Sequence, residues 1–359
     1  MNNTILNEDL YQIHSAVKKR GKWKNATILI TGCAGFLGFY FVNYFTRYGL
    51  ELGIKKIIAL DNFLLGKPKW ITDLVKKFPH LLFLKSFDIS NHDISQVDGI
   101  SNTNYVIHAA SIASPSFYRK FPVETIDANI WGLRNMLNFF KKKNKLNGFL
   151  FFSSSEIYGD PDVKFIPTDE EYRGNVSCTG PRACYDESKR FGETLCWVYS
   201  KNYGIPITVA RPFNNYGPGM SLNDKRLPAD FAKHILNNED LIILSDGTPT
   251  RTFCYISDAI IGYILCLTYG RYNYFNIGMD RPEVMVKEFA EFFIKAGKYL
   301  FKYNKKIKYK KSLDTDYMTD NPNRRCPSIT KAKKILGFKP LINVEDGVMR
   351  YLMFIRNKF

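Results

Sequence analysis

"ATILITGCAGFLG", residues 26–38, decides the fold. An apolar run ends at Thr31, a turn carries Gly32, Gly35 and Gly38, and a helical pattern starts directly behind it. Glycines at such a turn let backbone approach a phosphate. The next helix then offers free N–H groups and the positive end of its dipole. The spacing is GxxGxxG rather than GxGxxG, and a glycine-rich strand–helix turn also occurs without a ligand, so context has to decide. The next apolar run, "KKIIALD" (55–61), ends in Asp61, 23 residues beyond Gly38. A carboxylate there accepts both hydroxyls of a ribose and repels a 2′-phosphate, which selects NAD over NADP. The plainer alternative is a turn acid before Asn62. On the first reading Gly32, Gly35, Phe36, Leu37, Gly38, Asp61 and Asn62 line a dinucleotide site. "LLFLKSFD" (81–88) then brings Asp88 and Ile89 to the adenine edge and face, and "NYVIHAAS" (104–111) sets Ala109 as a tight wall near the phosphates or the nicotinamide ribose.

Further outward, "GFLFFSS" (148–154) and "PITVARP" (206–212) also read as strands, and segments 36–48, 123–142 and 183–203 as amphipathic helices. Alternating strand and helix predicts a doubly wound parallel sheet, the α/β Rossmann architecture. After residue 212 the rhythm breaks into loops and helices, which predicts a smaller substrate lobe. A strand near "YFNIG" (274–278) is expected to return to the large sheet, so the lobes interleave. The expected division is an N-terminal extension (1–25), an NAD-binding domain (26–212) and a mainly substrate-binding lobe (213–359). Residues 4–19 suit a short helix preceding the main fold, with no chemistry attached.

The chain has 359 residues, too many for one ordinary core, and is 45% hydrophobic and 15% aromatic, a globular composition. No uncharged apolar stretch reaches the ~18 residues of a membrane span. The first 25 residues carry early acids and no apolar core, unlike a signal peptide. Seven cysteines, an odd number with no CxxC pair, argue against a disulfide framework or a zinc site and fit a reducing cytoplasm. The five histidines lack metal-ligand spacing, so no metal is expected. A net charge of +17 suits nucleic acid, an anionic membrane or an acidic small substrate, but also plain lysine-rich solvated faces. "KKKNK" (141–145) and "KYNKKIKYKK" (302–311) read as a helix end and a surface segment. Neither lies in a nucleic-acid-binding motif, so neither nucleic acid nor membrane is an expected partner.

"FLFFSSSEIYGD" (149–160) ends an apolar strand in Ser153, Ser154, Ser155 and Glu156. Such a row is either a turn with a helix cap or a set of proton donors and acceptors aimed at a substrate. "YDESK" places Tyr185 and Lys189 four apart, on one helix face. A free tyrosine, with a pKa near 10, is a poor base at neutral pH. A neighbouring ammonium and a cationic nicotinamide both favour its phenolate. YxxxK also occurs in ordinary amphipathic helices. The strand-end serines add to it, because one hydroxyl can bond the oxygen that Tyr185 deprotonates.

Taken together, these residues resemble the extended short-chain dehydrogenase/reductases, the nucleotide-sugar epimerases, dehydratases and decarboxylases, from about residue 26 to 355. The similarity includes "RPFNNYGPG" (211–219), "TPTRTFCYISDAI" (248–260) and "NRRCPSITKAKKILGFKP" (323–340). It is strongest to the UDP-glucuronate decarboxylases, through "HAASIASPSFY" (108–118), "SSSEIYGDP" (153–161) and "GPRACYDESKR" (180–190). The resemblance implies catalytic roles for Ser154, Ser155, Glu156, Tyr185 and Lys189. Ser154 bonds the sugar C4 oxygen, Tyr185 takes the C4 hydroxyl proton, and Lys189 also holds the ribose. Glu156, or a water it orders, helps protonate C5. The resemblance further implies a nucleotide-sugar site at Ser114, Tyr118, Glu156, Arg182, Asn214, Arg226 and Arg251; each arginine reads alternatively as a surface salt bridge. The implied reaction is NAD-dependent decarboxylation of UDP-glucuronate through a 4-keto sugar. A 4-epimerase, 4,6-dehydratase or 4-dehydrogenase and an idle NAD-binding regulator remain as alternatives. Three positions depart from the pattern: Leu244 where an aromatic residue stacks on uracil, Ser188 for a glycine and Cys33 for a glycine or alanine. The base and the exact sugar therefore stay open. Segments 123–142 and 183–203 resemble helices that relatives pair into a homodimer, with Ile130, Leu133, Leu137, Leu195, Trp197 and Val198 at helical spacing. The alternative is packing within the subunit.

Overall fold

Runs such as Thr27–Thr31 and Gly148–Phe152 are buried at every position, as strands covered on both faces must be. The computed structural model describes residues 4–142, 146–312, 316, 319 and 322–357. Its seven-stranded parallel sheet contains β1 (Thr27–Thr31), β2 (Lys56–Asp61), β3 (Leu82–Ser86), β4 (Tyr105–His108), β5 (Gly148–Phe152), β6 (Ile207–Pro212) and β7 (Asn273–Ile277). The spatial order is β7-β6-β5-β4-β1-β2-β3. The order reverses between β1 and β4, where Thr31 lies level with His108, so a crevice opens beyond these strand ends.

The helices that matter for the site are α1 (Thr4–Val17), α2 (Phe36–Leu52), α3 (Ala183–Tyr203), α4 (Ile256–Tyr269) and α5 (Val344–Arg356). Both α4 and β7 follow residue 212 in sequence, yet β7 hydrogen-bonds along β6 and α4 is buried on almost every face. Beyond the large sheet, the helices Leu227–Asn237 and Val286–Phe301 join α5. The lysine-rich segment 302–311 lies at the surface as expected, and within it Ile307–Tyr309 forms a strand beside Leu241–Ile243. Of "KKKNK", residues 143–145 lie outside the described residues.

The N-terminal helix is not an appendage. Its stripe of Ile5, Leu6, Leu10, Ile13 and Val17 is buried in the largest core cluster. From the same helix, buried Asp9 accepts from Tyr40 Oη at 2.6 Å, Tyr255 Oη at 2.8 Å and Arg350 Nη2 at 2.8 Å. Those three partners come from α2, the end of strand Cys254–Tyr255 and α5, so α1 ties together elements far apart in sequence.

The helical stretch 122–140 contains a π-helical turn over Asp127–Gly132. Leu133 and Leu137 are fully buried in this subunit's second core cluster, and Leu195 and Val198 pack against it. Leu133 and Leu137 therefore belong to the subunit's own interior, while Leu195 and Val198 are only partly buried. Trp197 is 47% exposed, together with Trp131 and Phe191 at 48% each. Among the described residues, no helix is long and apolar enough to cross a membrane.

Candidate active site

The glycine turn is shaped for close approach. Gly32 has φ +69°, and a Cβ there would lie 2.6 Å from Ala110 N and 2.7 Å from the Ala109 carbonyl oxygen. A Cβ on Gly38 would meet the Cys33 carbonyl oxygen at 2.4 Å, so α2 packs directly onto the turn. Gly35 opens α2 with no side chain capping it, which leaves the first N–H groups facing the crevice. At the end of β2, Asp61 accepts from Ala34 N at 2.9 Å and Phe63 N at 2.8 Å. Both of its oxygens thus brace the turn and keep further lone pairs for a ribose. Burial raises its pKa, against those two backbone bonds. Asn62 and Asp88 stabilise local turns, accepting from Leu64 N and Ser90 N. Ile89 packs beneath Gly132, whose Cβ would come within 2.6 Å of it. The close-packed glycines, uncapped helix and oriented carboxylate fit a dinucleotide.

A cavity of about 1050 Å³ runs along the strand ends and borders every residue singled out from sequence as a cofactor, catalytic or substrate candidate. Ser154 caps the short turn after β5 by accepting from Glu156 N at 3.2 Å, and its hydroxyl also lies close enough to the Tyr185 phenol to favour the phenolate. The cap and the aimed hydroxyl are one residue. Tyr185 stacks on Tyr118, with ring centroids 5.0 Å apart and an 11° tilt. Burial pushes Tyr185 up to about 12, with the Ser154 bond opposing. Lys189 is brought down to about 7 by burial, and its Nζ donates to the Phe152 carbonyl at 2.8 Å. The same Nζ lies 5.6 Å from the centre of the Tyr185 ring.

Glu156 carries the largest charge cluster. Its carboxylate pairs with Arg182 Nη2 and with both terminal nitrogens of Arg325, Nη2 at 2.6 Å. Burial favours its neutral form, but the Arg182 and Arg325 guanidiniums outweigh burial and hold it below the ordinary carboxylate range. The guanidiniums thus favour the ionised carboxylate, and of the two expected routes to C5 this favours the water that Glu156 orders. Arg182 and Arg251 are both buried, which removes the surface salt-bridge reading. Arg251 Nη1 donates to the carbonyls of Thr250 at 2.8 Å and Asn323 at 3.0 Å. Burial and the neighbouring Arg325 bring Arg251 down to about 9. Arg226 does pair locally with Asp224, at 2.8 Å, yet its charge reaches Tyr185. Asn214, at φ +42°, donates to the Thr252 carbonyl at 2.8 Å, and Ser114 donates to the Asp224 carbonyl. The Tyr118 hydroxyl is buried with no hydrogen-bond partner among the described residues, as a group awaiting a polar ligand would be. Leu244 also borders the cavity.

Arg325 had no role assigned from sequence, although its segment carried the resemblance. It lies on the strand Arg324–Arg325, level with Arg251, and that register sets two guanidiniums side by side. Ser188 joins Asn129 Nδ2, at 2.9 Å, to the Tyr185 carbonyl, at 2.9 Å, a link that glycine cannot make.

Residues 28–278 match the model of the NAD dependent epimerase/dehydratase family. The chain is 33% identical to UDP-glucuronic acid decarboxylase 1 of Xenopus tropicalis over 353 residues, 98% of this chain and 77% of that one. It is 36% identical to UDP-glucuronic acid decarboxylase 6 of Arabidopsis thaliana over 324 residues, 90% of this chain and 87% of that one. In structure it is similar to the UDP-glucose 4-epimerase of Thermotoga maritima with UDP-glucose, at a TM-score of 0.78 and 25% identity, over 92% of this chain and 99% of that one. The fold also matches the UDP-glucuronic acid 4-epimerase of Bacillus cereus in complex with UDP-glucuronic acid and NAD, at a TM-score of 0.73 and 24% identity, over 93% of this chain and all of that one.

Proposed function

The chain belongs to the NAD-dependent epimerase/dehydratase family, and from that premise we propose that it decarboxylates UDP-glucuronate to UDP-xylose. The observation that carries this reading is Glu156, clamped by Arg182 and Arg325 beside the Ser154–Tyr185 pair. Three guanidiniums, counting Arg251, meet there with Glu156 and the nearby Asp186. That balance leaves room for one more anion, such as a sugar carboxylate.

NAD, when bound, takes up the C4 hydride of the sugar and later returns it. Tyr185, as the phenolate that the Lys189 ammonium and a bound cationic nicotinamide would favour, accepts the C4 hydroxyl proton, while Ser154 holds the same oxygen. The resulting ketone lies beta to the C6 carboxylate. The bond from C5 to that carboxylate breaks, carbon dioxide leaves, and the electron pair moves onto the C4 oxygen. Ser154 and the Tyr185 hydroxyl stabilise this oxyanion. Glu156 keeps Arg182 and Arg325 in place and orders the water that protonates C5. Running the reaction in heavy water tests the sequence of steps: the pentose should carry one deuterium at C5. A product that keeps its carboxylate, or a 4-keto product that accumulates, contradicts it.

The contact between Ser154 and Tyr185 argues against an idle NAD-binding regulator. The protein is further proposed to be a homodimer, supported by the exposed Val123, Trp131, Phe191 and Trp197 on stretch 122–140 and α3. Its seven cysteines are free thiols, which supports a reducing compartment such as the cytoplasm.

A further inference from the structure

Asp186 follows the tyrosine directly but does not border the cavity, so it has no direct access to a sugar. Its buried carboxylate forms an ion pair, with Oδ2 at 3.4 Å from Arg182 Nε, and neither that Nε nor Asp186 Oδ1 has a hydrogen-bond partner among the described residues. The far end of the same guanidinium holds Glu156, and the Arg182 guanidinium carbon lies 6.0 Å from the centre of the Tyr118 ring that stacks on Tyr185. One arginine thus joins Asp186, Glu156 and the tyrosine pair. A guanidinium is a rigid planar fork, so a charge holding its Nε edge fixes where its other edge points. We propose that Asp186 is a positioning residue: acting through Arg182, it fixes the Glu156 carboxylate at the end of β5 for the chemistry at C5. The inference rests on the decarboxylase reading above.

The surroundings of Asp186 give the proposal a pH signature. Glu156 faces it from the turn after β5, Arg325 from the strand Arg324–Arg325, Tyr118 from the helix Pro115–Lys120, and Arg182, Cys184 and Tyr185 from its own helix end. Burial first, then the charge of Glu156, raise its carboxyl to about 7, against Arg182 and Arg325. Above that pH Asp186 is ionised and Arg182 is held from both sides. Below it the carboxyl is neutral and the hold on the Nε edge relaxes. Decarboxylation should therefore speed up as pH rises through neutrality.

The test compares the parent with Asp186→Asn, which keeps the size and removes the charge, alone and combined with Arg182→Lys. Single turnovers of UDP-glucuronate on the NAD-loaded protein are followed by NADH absorbance and by carbon dioxide release. Asp186→Asn should form NADH within about threefold of the parent rate and release carbon dioxide about 10-fold more slowly at pH 8. Its carbon dioxide release should also lose the rise with pH. In the Arg182→Lys background the same change should cost less than about twofold. An equal loss in both signals overturns the proposal, as does an undiminished cost in that background or unchanged carbon dioxide release. A parent that releases no carbon dioxide overturns the decarboxylase reading instead. The pairing is then read from the melting temperatures of the four proteins: non-additive shifts support it, and additive shifts overturn it.

Discussion

At the scale of single residues, Tyr185 and Glu156 should fail at different steps. Tyr185→Phe removes the group that takes the C4 proton, so NADH should form on the enzyme about 10² to 10⁴ times more slowly. Glu156→Gln leaves that proton transfer intact and loosens Arg182 and Arg325. It should still form NADH when substrate is added, then stall before carbon dioxide release. A single-turnover trace separates the two, and equal loss of NADH formation in both variants would move Glu156 into the first step. Asp61→Ala removes the ribose acceptor together with the brace on Ala34 and Phe63. Dinucleotide titrations should show weaker NAD binding and poorer discrimination against NADP; unchanged affinity and selectivity would remove the assignment. Much of this site was legible because its parts are local. The glycines, Asp61, the serine row and Tyr185 with Lys189 each sit in a short segment whose spacing carries the chemistry. The partner of Glu156 was not legible, since Arg325 lies 169 residues away and meets it only through the register of a two-residue strand. The charge state of Glu156 was hidden for the same reason, because distant guanidiniums set it.

At the scale of elements, the seven sheet strands announced themselves as apolar runs, with edges shifted by a few residues where loops take over. The role of α1 was hidden, because an amphipathic helix does not say what covers its apolar stripe. Asp9 gives that contact a measurable consequence. Burial raises its pKa, and Arg350 opposes the shift. Arg350→Ala leaves a buried carboxylate without its counter-charge and should cost about 3 kcal/mol in denaturant unfolding, against less than about 1 kcal/mol for a typical surface change. A loss below 1 kcal/mol would mean that α1 is held by its apolar stripe alone. The helix pair carries the other prediction at this scale. Sequence spacing grouped Leu133 and Leu137 with Trp197, because helical periodicity does not distinguish a core face from an interface. Trp197 is exposed and Ile130, Leu195 and Val198 are partly buried, so these can reach a partner, whereas Leu133 and Leu137 cannot. Trp197→Glu should convert a dimer into a monomer by light scattering at micromolar concentration. A parent that is already monomeric would contradict the dimer.

For the whole molecule, a dinucleotide cradle, a serine–tyrosine pair and an arginine-clamped carboxylate border one cavity along the strand ends of the seven-stranded sheet. The doubly wound sheet was readable from alternating strand and helix. The return of later elements to that sheet was readable only in the single strand after the break, β7, and the partner helix α4 went unnoticed among the C-terminal helices. The reaction is redox-neutral, so cofactor and substrate have to act as one closed cycle. That cycle is best tested by adding UDP-glucuronate to the NAD-loaded protein and following carbon dioxide and the NADH band in the same sample. The account predicts one carbon dioxide per sugar consumed, with NADH rising and falling back within each turnover. Sugar turnover without carbon dioxide, or NADH that accumulates in step with product, would contradict it.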